Sequence, residues 1–348
     1  MRIQAKDLMN LMEEWAPRAL AEKWDHPGLQ VGNPNQKGEK VLISLDLTEE
    51  AVDFAVEQGI SMIISHHPFL FKAFHELDLT TYKGRVIEKL IKNDILAFAA
   101  HTNLDTADGG VNDALADSLG LANPEGLVPE KEEPMYKLAV YLRPAVAKAF
   151  CRCAKNKYPV GTANYYLLPA DDDMMEESKL EMNVAGHVLP CVLQELKDYA
   201  GDAHYDVYEL QNGKKCEYMG RIGNLPYEMD GKEALRYIKK KLGIPVLRFA
   251  GCSDIKVNRM AILGGAGSEF AALARAGGAD LYLTGDLKYH EAQDASRLGM
   301  LIVDGGHFYT ERIIVPALAQ RMQKEAEMRG WDLKVIAYES QQDIFENL

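Results

Sequence analysis

No stretch of the 348-residue chain is apolar for long enough to span a bilayer, and residues 1–7 lack the apolar centre of a signal peptide. Cysteine is sparse as well. Cys151, Cys153, Cys191, Cys216 and Cys252 are odd in number and show no Cys-x-x-Cys spacing, which argues against a disulfide framework or a thiolate zinc site. Ordinary thiols in a reducing compartment follow, so a cytoplasmic protein with no membrane partner is expected. A basic excess is also missing: 39 Lys+Arg face 52 Asp+Glu, and the net charge of −13 opposes nonspecific attraction to nucleic acid. Nucleic acid is therefore not an expected partner, whereas a local basic pocket for a phosphorylated small molecule stays open.

The hydrophobic content of 47% is ample for a core, and the length allows two domains or one large domain with an insertion. Leu8, Leu11, Met12 and Trp15 recur at helical spacing, which predicts an amphipathic first helix. From Lys40 a rhythm sets in: strand 41–45 ending at Asp46, helix 49–58, strand 60–64, helix 84–93, strand 95–100. Alternating strands and helices predict an α/β fold with a mainly parallel sheet flanked by helices, whose ligands bind beyond the carboxyl ends of the strands. After residue 127 the rhythm changes. Residues 128–134, charged and proline-bearing, read as a linker, and the elements that follow to residue 210 run β-α-β-β-α-β, the plan of a ferredoxin-like module. Within it, the acidic stretch 171–177 reads as a solvated loop. Parallel-type patterning then resumes with strands at 260–263, 281–284 and 300–303. The expected organisation is a discontinuous α/β domain of residues 1–127 and 246–348 interrupted by a ferredoxin-like (α+β) insertion at 128–245.

Candidate chemistry gathers at the strand ends. Ile63-Ile64-Ser65-His66-His67-Pro68 closes an apolar run in two histidines, whose side chains converge only if the backbone has already turned, because strand neighbours point to opposite faces. Alone, such a doublet is as readily an accident of a loop. The next strand runs into His101 and Asp105, and a later one into Asp304-Gly305-Gly306-His307, with Glu311 four residues on. At a helix start an i,i+4 pair lies on one face and can chelate one centre, although a solvent-facing pair has the same spacing. His66, His67, Asp105, His307 and Glu311 thus supply three imidazoles and two carboxylates, all expected at carboxyl ends of strands in one sheet. Such mixed ligands suit zinc, iron or manganese, and five side chains exceed what one catalytic zinc takes, so two divalent ions sharing a carboxylate are expected. His101 and His290, each just past a strand end, are candidate catalytic proton carriers, with locally satisfied loop histidines as the alternative. A third loop histidine, His26, reads as a cap or loop residue. Gly264-Gly265-Ala266-Gly267-Ser268 can hold a phosphate at a helix start, but it lacks a P-loop ending and reads better as a tight structural turn.

Five segments in order carry a family resemblance: Trp24-Asp25-His26-Pro27-Gly28-Leu29, Ser65-His66-His67-Pro68, His101-Thr102-Asn103-Leu104-Asp105, Gly285-Asp286-Leu287-Lys288-Tyr289-His290 and Gly306-His307-Phe308-Tyr309-Thr310-Glu311. The chain resembles the Nif-three-like proteins, also called the type-two GTP cyclohydrolase I-like family. The resemblance implies an α/β fold, a two-metal site at His66, His67, Asp105, His307 and Glu311, a ring-shaped homohexamer, and an inserted ferredoxin-like domain. His26 departs from it, standing where the family more often has asparagine. The function expected is a dinuclear-metal hydrolase of a nucleotide-like or phosphorylated small molecule, and the competing expectation is a non-catalytic, ring-assembled metal-binding regulator.

Overall fold

Side chains of period two along buried strands decide the architecture of the computed structural model, which describes residues 2–73, 75–158, 160–161, 163–167, 178–213 and 215–346. The chain forms two compact units, Met1–Pro129 with Tyr218–Leu348, and Glu130–Glu217.

The first unit holds two sheets rather than the single sheet expected. One runs in the order Gly28–Val31, Leu96–Ala99, Met62–Ser65, Lys40–Ser44, Lys334–Ala337, parallel throughout except for the antiparallel Gly28–Val31 edge. Val41, Ile43, Met62 and Ile64 point to one face, where helices Ala5–Trp15 and Ile314–Met328 bury Leu8, Leu11, Leu318 and Met322 against them. Leu42, Ile63 and Ala97 point to the other, against Val52 and Leu90 of helices Glu49–Gln58 and Tyr82–Lys92. Burying each such side chain is worth roughly 1.5–3 kcal/mol, so a one-residue slip of register would exchange both faces and is strongly disfavoured.

The second sheet runs Arg248–Ala250, Leu301–Asp304, Leu281–Gly285, Lys256–Ala266, Lys215–Asp230, Ala122–Glu133. Its three middle strands, 256–266, 281–285 and 301–304, are parallel. Met260, Ile262, Leu281, Leu283 and Val303 pack on helices Val111–Leu119 and Gly231–Leu242. Ala261, Leu263, Tyr282 and Ile302 form the opposite face. Two expectations change here. The expected linker 128–134 is largely strand, because Leu127 and Val128 are buried in the sheet's second face. The second boundary lies at 217/218 rather than 245, because Met229, Ala234, Leu235 and Ile238 belong to the first unit's core.

In the second unit, strands Met135–Leu142, Ala163–Leu167, Ser178–Ala185 and His204–Glu209 alternate with helices Pro144–Lys157 and Leu189–Tyr199 in the order β-α-β-β-α-β. The sheet is antiparallel, ordered 163–167, 178–185, 135–142, 204–209. Leu138, Val140, Leu180 and Met182 bury one face against Phe150 and Val192. The acidic stretch 171–177, like Thr162 and Leu168, lies outside the described residues.

Where the chain leaves and re-enters the first unit, the two strands are neighbours, and they approach so closely that a Cβ on Gly126 would lie 2.0 Å from Tyr218 Cγ. Replacing residues 130–217 by a short Gly/Asn linker between Pro129 and Tyr218 should therefore leave a folded protein. Circular dichroism and thermal unfolding check this, and an unfolded or aggregated product would show that the flanking halves depend on the insertion.

Candidate metal centre

Strand Met62–Ser65 is buried throughout, and at its end the backbone turns because two successive N–H groups, of His66 and His67, donate to the same Leu45 carbonyl at 3.1 and 3.0 Å. Ser65 Oγ fixes the turn by donating to the His67 carbonyl at 2.8 Å. The strand alternation is thereby broken, and the two imidazoles lie side by side with ring centroids 5.0 Å apart. The neighbouring strand Leu96–Ala99 delivers His101, and the short helix Thr102–Thr106 delivers Asp105. From the second sheet, strand Leu301–Asp304 leads through Gly305-Gly306 into helix His307–Glu311, whose ends meet through His307 Nε2 and Glu311 Oε2 at 3.2 Å.

These side chains converge on one carboxylate oxygen. Glu311 Oε2 lies 2.9 Å from His67 Nε2, 3.2 Å from His307 Nε2 and 3.8 Å from His66 Nε2, and His66 Nε2 lies 3.5 Å from Asp105 Oδ1. Three overlapping groups able to hold a metal ion result: His66 with Asp105 and Glu311, His67 with His307 and Glu311, and His66 with His67 and His101, each with its ligand atoms within 4.8 Å of one another. His290 belongs to none of them; it is exposed, with its ring 5.3 Å from that of Tyr289. His26 is also exposed, and its N–H donates to Asp25.

Sequence reasoning missed what orients the imidazoles. Each carries its Nδ1 on an oxygen: His66 on the Ala100 carbonyl at 2.8 Å, His67 on Asp46 at 2.7 Å, His307 on Asp286 at 2.8 Å and His101 on Asp25 at 2.9 Å. With Nδ1 donating, the neutral form of each ring leaves Nε2 as a lone pair, the form a metal requires. A sequence signal existed, since Asp46 follows a strand end and Asp25 and Asp286 lie in turn segments, but nothing local pairs each with its histidine.

The electrostatics match an anionic cradle. Burial would raise the Glu311 carboxyl, but His307, His66 and His67 around it hold it well below the usual carboxylate range. Burial pushes Asp105 up to about 6, against the pull of His66. Burial lowers the His67 imidazole, yet Asp46 and Glu311 push it up to about 10. His307 is pushed up to about 9 by Glu311 against its own burial, with Asp286 adding. Asp25, despite burial, is drawn down to about 2 by hydrogen bonds from His101 and Thr102.

Do these residues fit a metal? Among the described residues, His66 Nε2, Asp105 Oδ1 and Glu311 Oε2 are buried atoms without a hydrogen-bond partner, although Glu311 Oε2 forms an ion-pair contact with His67 Nε2 at 2.9 Å. An unsatisfied buried polar group costs about 1–3 kcal/mol, and a cation coordinated by all three would satisfy them together. The donor set of imidazole and carboxylate is that of zinc, iron or manganese. The glycine-rich turn of the second sheet makes room for it. Gly265 stands at φ +67°, and a Cβ there would lie 2.2 Å from Glu311 Oε1, so glycine at this turn leaves the carboxylate its position. Its N–H donates to Thr310 Oγ1 at 3.1 Å. Asn112 ties this turn to the Asp105 segment: its Oδ1 accepts from Gly264 N at 3.0 Å and its Nδ2 donates to the Asp105 carbonyl at 2.9 Å.

Comparison with known proteins agrees in extent. A family model described as Duf34/NIF3 (NGG1p interacting factor 3) matches residues 3–344. A Bacillus subtilis protein named GTP cyclohydrolase 1 type 2 homolog is 32% identical, covering 99% of this chain and 98% of that protein. A Halalkalibacterium halodurans protein of the same name is 34% identical, with 97% of each covered. Among solved structures, a Bacillus cereus protein related to NIF3 superposes with a TM-score of 0.85 at 32% identity, covering 100% of this chain and 99% of that one. Staphylococcus aureus protein SA1388 gives 0.78 at 30% identity, covering 99% of each.

Gly265→Ala should drive the Glu311 carboxylate off its position and reduce the divalent metal retained per chain, as measured by elemental analysis after dialysis; full retention would show that the turn has room to give. A second expectation follows from protonation. His67 and His307 have folded-state pKa values raised above 6.5, so in metal-free protein their stabilising contribution is complete below about pH 6.5 and is lost as pH rises through about 9 and 10. Divalent ions compete with those protons and replace that contribution, so the rise in Tm on adding manganese or zinc should be larger at about pH 9 than at about pH 6. A rise independent of pH would contradict it.

Proposed function

This chain belongs to the Duf34/NIF3 family, and on that premise we propose that it is a metal-dependent hydrolase of a nucleotide-like small molecule. The observation that carries the reading is the set of buried atoms on His66, Asp105 and Glu311 without hydrogen-bond partners among the described residues, beside the oriented imidazoles of His67 and His307. His66 and Asp105 would hold one divalent ion, His67 and His307 a second, and Glu311 would be common to both. Divalent ions held there supply Lewis acidity and a lowered pKa for solvent, the basis of metal-assisted hydrolysis.

The remaining work falls to the protein. Asp46, Asp286 and the Ala100 carbonyl fix the imidazoles as Nδ1 donors, so Nε2 stays aimed inward. Asp25 stays ionised and receives four hydrogen bonds, from His26 N, Thr102 N, Thr102 Oγ1 and His101 Nδ1. It can therefore support a proton on His101 while Nε2 of that ring exchanges one with substrate. Between the two histidines expected to move protons, His101 takes the role, because it stands in the cluster and His290 does not. The name shared by the relatives supports a nucleotide-like substrate. A homo-oligomeric ring and a ferredoxin-like identity for the insertion belong to the same proposal.

The test is turnover by the metal-loaded protein across GTP, other nucleotides and phosphodiesters. Glu311→Ala should lose both metal and turnover. Asp25→Asn should keep its metal and lose about 10²–10⁴-fold in kcat. Absence of turnover on the whole panel by protein that retains its metal would sink the reading.

A further inference from the structure

The cluster is flanked by two surfaces of opposite character. On the His67 and His307 side lies a cavity of about 1220 Å³. Among the described residues its walls carry Asp46, Glu50, Asp286, Asp304, Asp343 and Glu346 together with the His67 and His307 imidazoles, Lys83 and Arg248. Both cations are engaged: Arg248 pairs with Asp304, and Lys83 donates to the Phe69 carbonyl at 3.1 Å. Three of these carboxylates are already paired, Asp46 with His67, Asp286 with His307 and Asp304 with Arg248.

On the His101 side stand three rings. Trp24 and Phe71 lie edge to face with centroids 5.9 Å apart, and their distances to the His101 ring are 6.0 and 6.5 Å. His101 is itself a member of the group with His66 and His67, so this wall abuts the cluster directly. Trp24 is 54% exposed and Phe71 44%, an unusual outlay of aromatic surface beside a charged site. Their chain neighbours Lys23 and Lys72 are exposed and form no ion pair among the described residues. A planar ring offers the wall a stacking partner, and phosphates offer the two lysines a charge partner.

We infer that Trp24 and Phe71 form the docking face for the planar base of a nucleotide, placed beside His101 with Lys23 and Lys72 available to its phosphates. The inference rests on the nucleotide-like substrate of the proposed function and adds where and by which residues it is held. It assigns two aromatic residues and two lysines to ligand recognition.

The experiment is calorimetric titration of guanosine and of GTP into the metal-loaded, full-length protein. Trp24→Ala and Phe71→Ala should each weaken both ligands by roughly ten-fold or more, and Trp24→Phe should restore most of the affinity, with metal content unchanged. Lys23→Ala with Lys72→Ala should weaken GTP and leave guanosine as it was. If the wild type binds both ligands and the aromatic variants bind them equally well, the inference is overturned while the proposed substrate class stands. If the aromatic variants change the oligomeric state and leave binding intact, the rings serve contact between copies of this chain and the inference is again overturned. Should the wild type bind neither ligand, the nucleotide-like substrate falls and takes this inference with it.

Discussion

One carboxylate oxygen, Glu311 Oε2, is approached by the Nε2 atoms of three imidazoles, two from a strand end of the first sheet and one from its own helix at the end of a strand in the second. That convergence constrains both sheets at once. The two halves of the first unit must fold together before the contact exists, since in sequence His66 precedes and Glu311 follows the 88-residue second unit spanning Glu130–Glu217. Asn112, fully buried, links the Asp105 segment to the turn behind Glu311, and Gly265 leaves that turn without the Cβ that would strike the carboxylate.

Such a site is expensive for an apo protein. Buried donors and acceptors face one another without hydrogen-bond geometry, and the histidines compensate by holding protons between carboxylates, His67 up to about 10 and His307 up to about 9. The outward nitrogens show the other half of the arrangement. Asp46 is itself gripped by Gln341, whose Nε2 donates to Oδ2 at 3.0 Å and whose Oε1 accepts from the Asp46 N–H at 3.2 Å. The segment after the last strand therefore reaches the cluster through Gln341, Asp46 and His67. Ring orientation is built into the fold rather than left to the ion.

Much of this was legible in the sequence for a definite reason: ligand-type residues directly after buried apolar runs are conspicuous, and the i,i+4 spacing of His307 and Glu311 places both on one helix face. The strand alternation and the β-α-β-β-α-β order of the second unit were legible on the same periodic grounds. What was not legible depends on strand pairing. Periodicity does not say which strands are neighbours, so the one expected sheet is two, and strand Lys334–Ala337 returns to pair with Lys40–Ser44 across the length of the chain. The amphipathic helix Gly231–Leu242 shows its apolar stripe in sequence but not which unit will bury it, hence the displaced boundary. The orienting carboxylates are separated from their histidines by 21 residues for Asp46 and Asp286 and by 76 for Asp25, distances over which sequence carries no pairing signal.

Under the proposed function, the buried atoms around Glu311 are held apart for a pair of divalent ions. Anomalous diffraction at the metal absorption edge, from crystals of the metal-loaded protein, tests it most directly. Two peaks are expected on either side of the Glu311 carboxylate, one bordered by His66 and Asp105, the other by His67 and His307. Anomalous signal elsewhere in the chain with none beside Glu311, or a loaded protein without ordered metal, would contradict it.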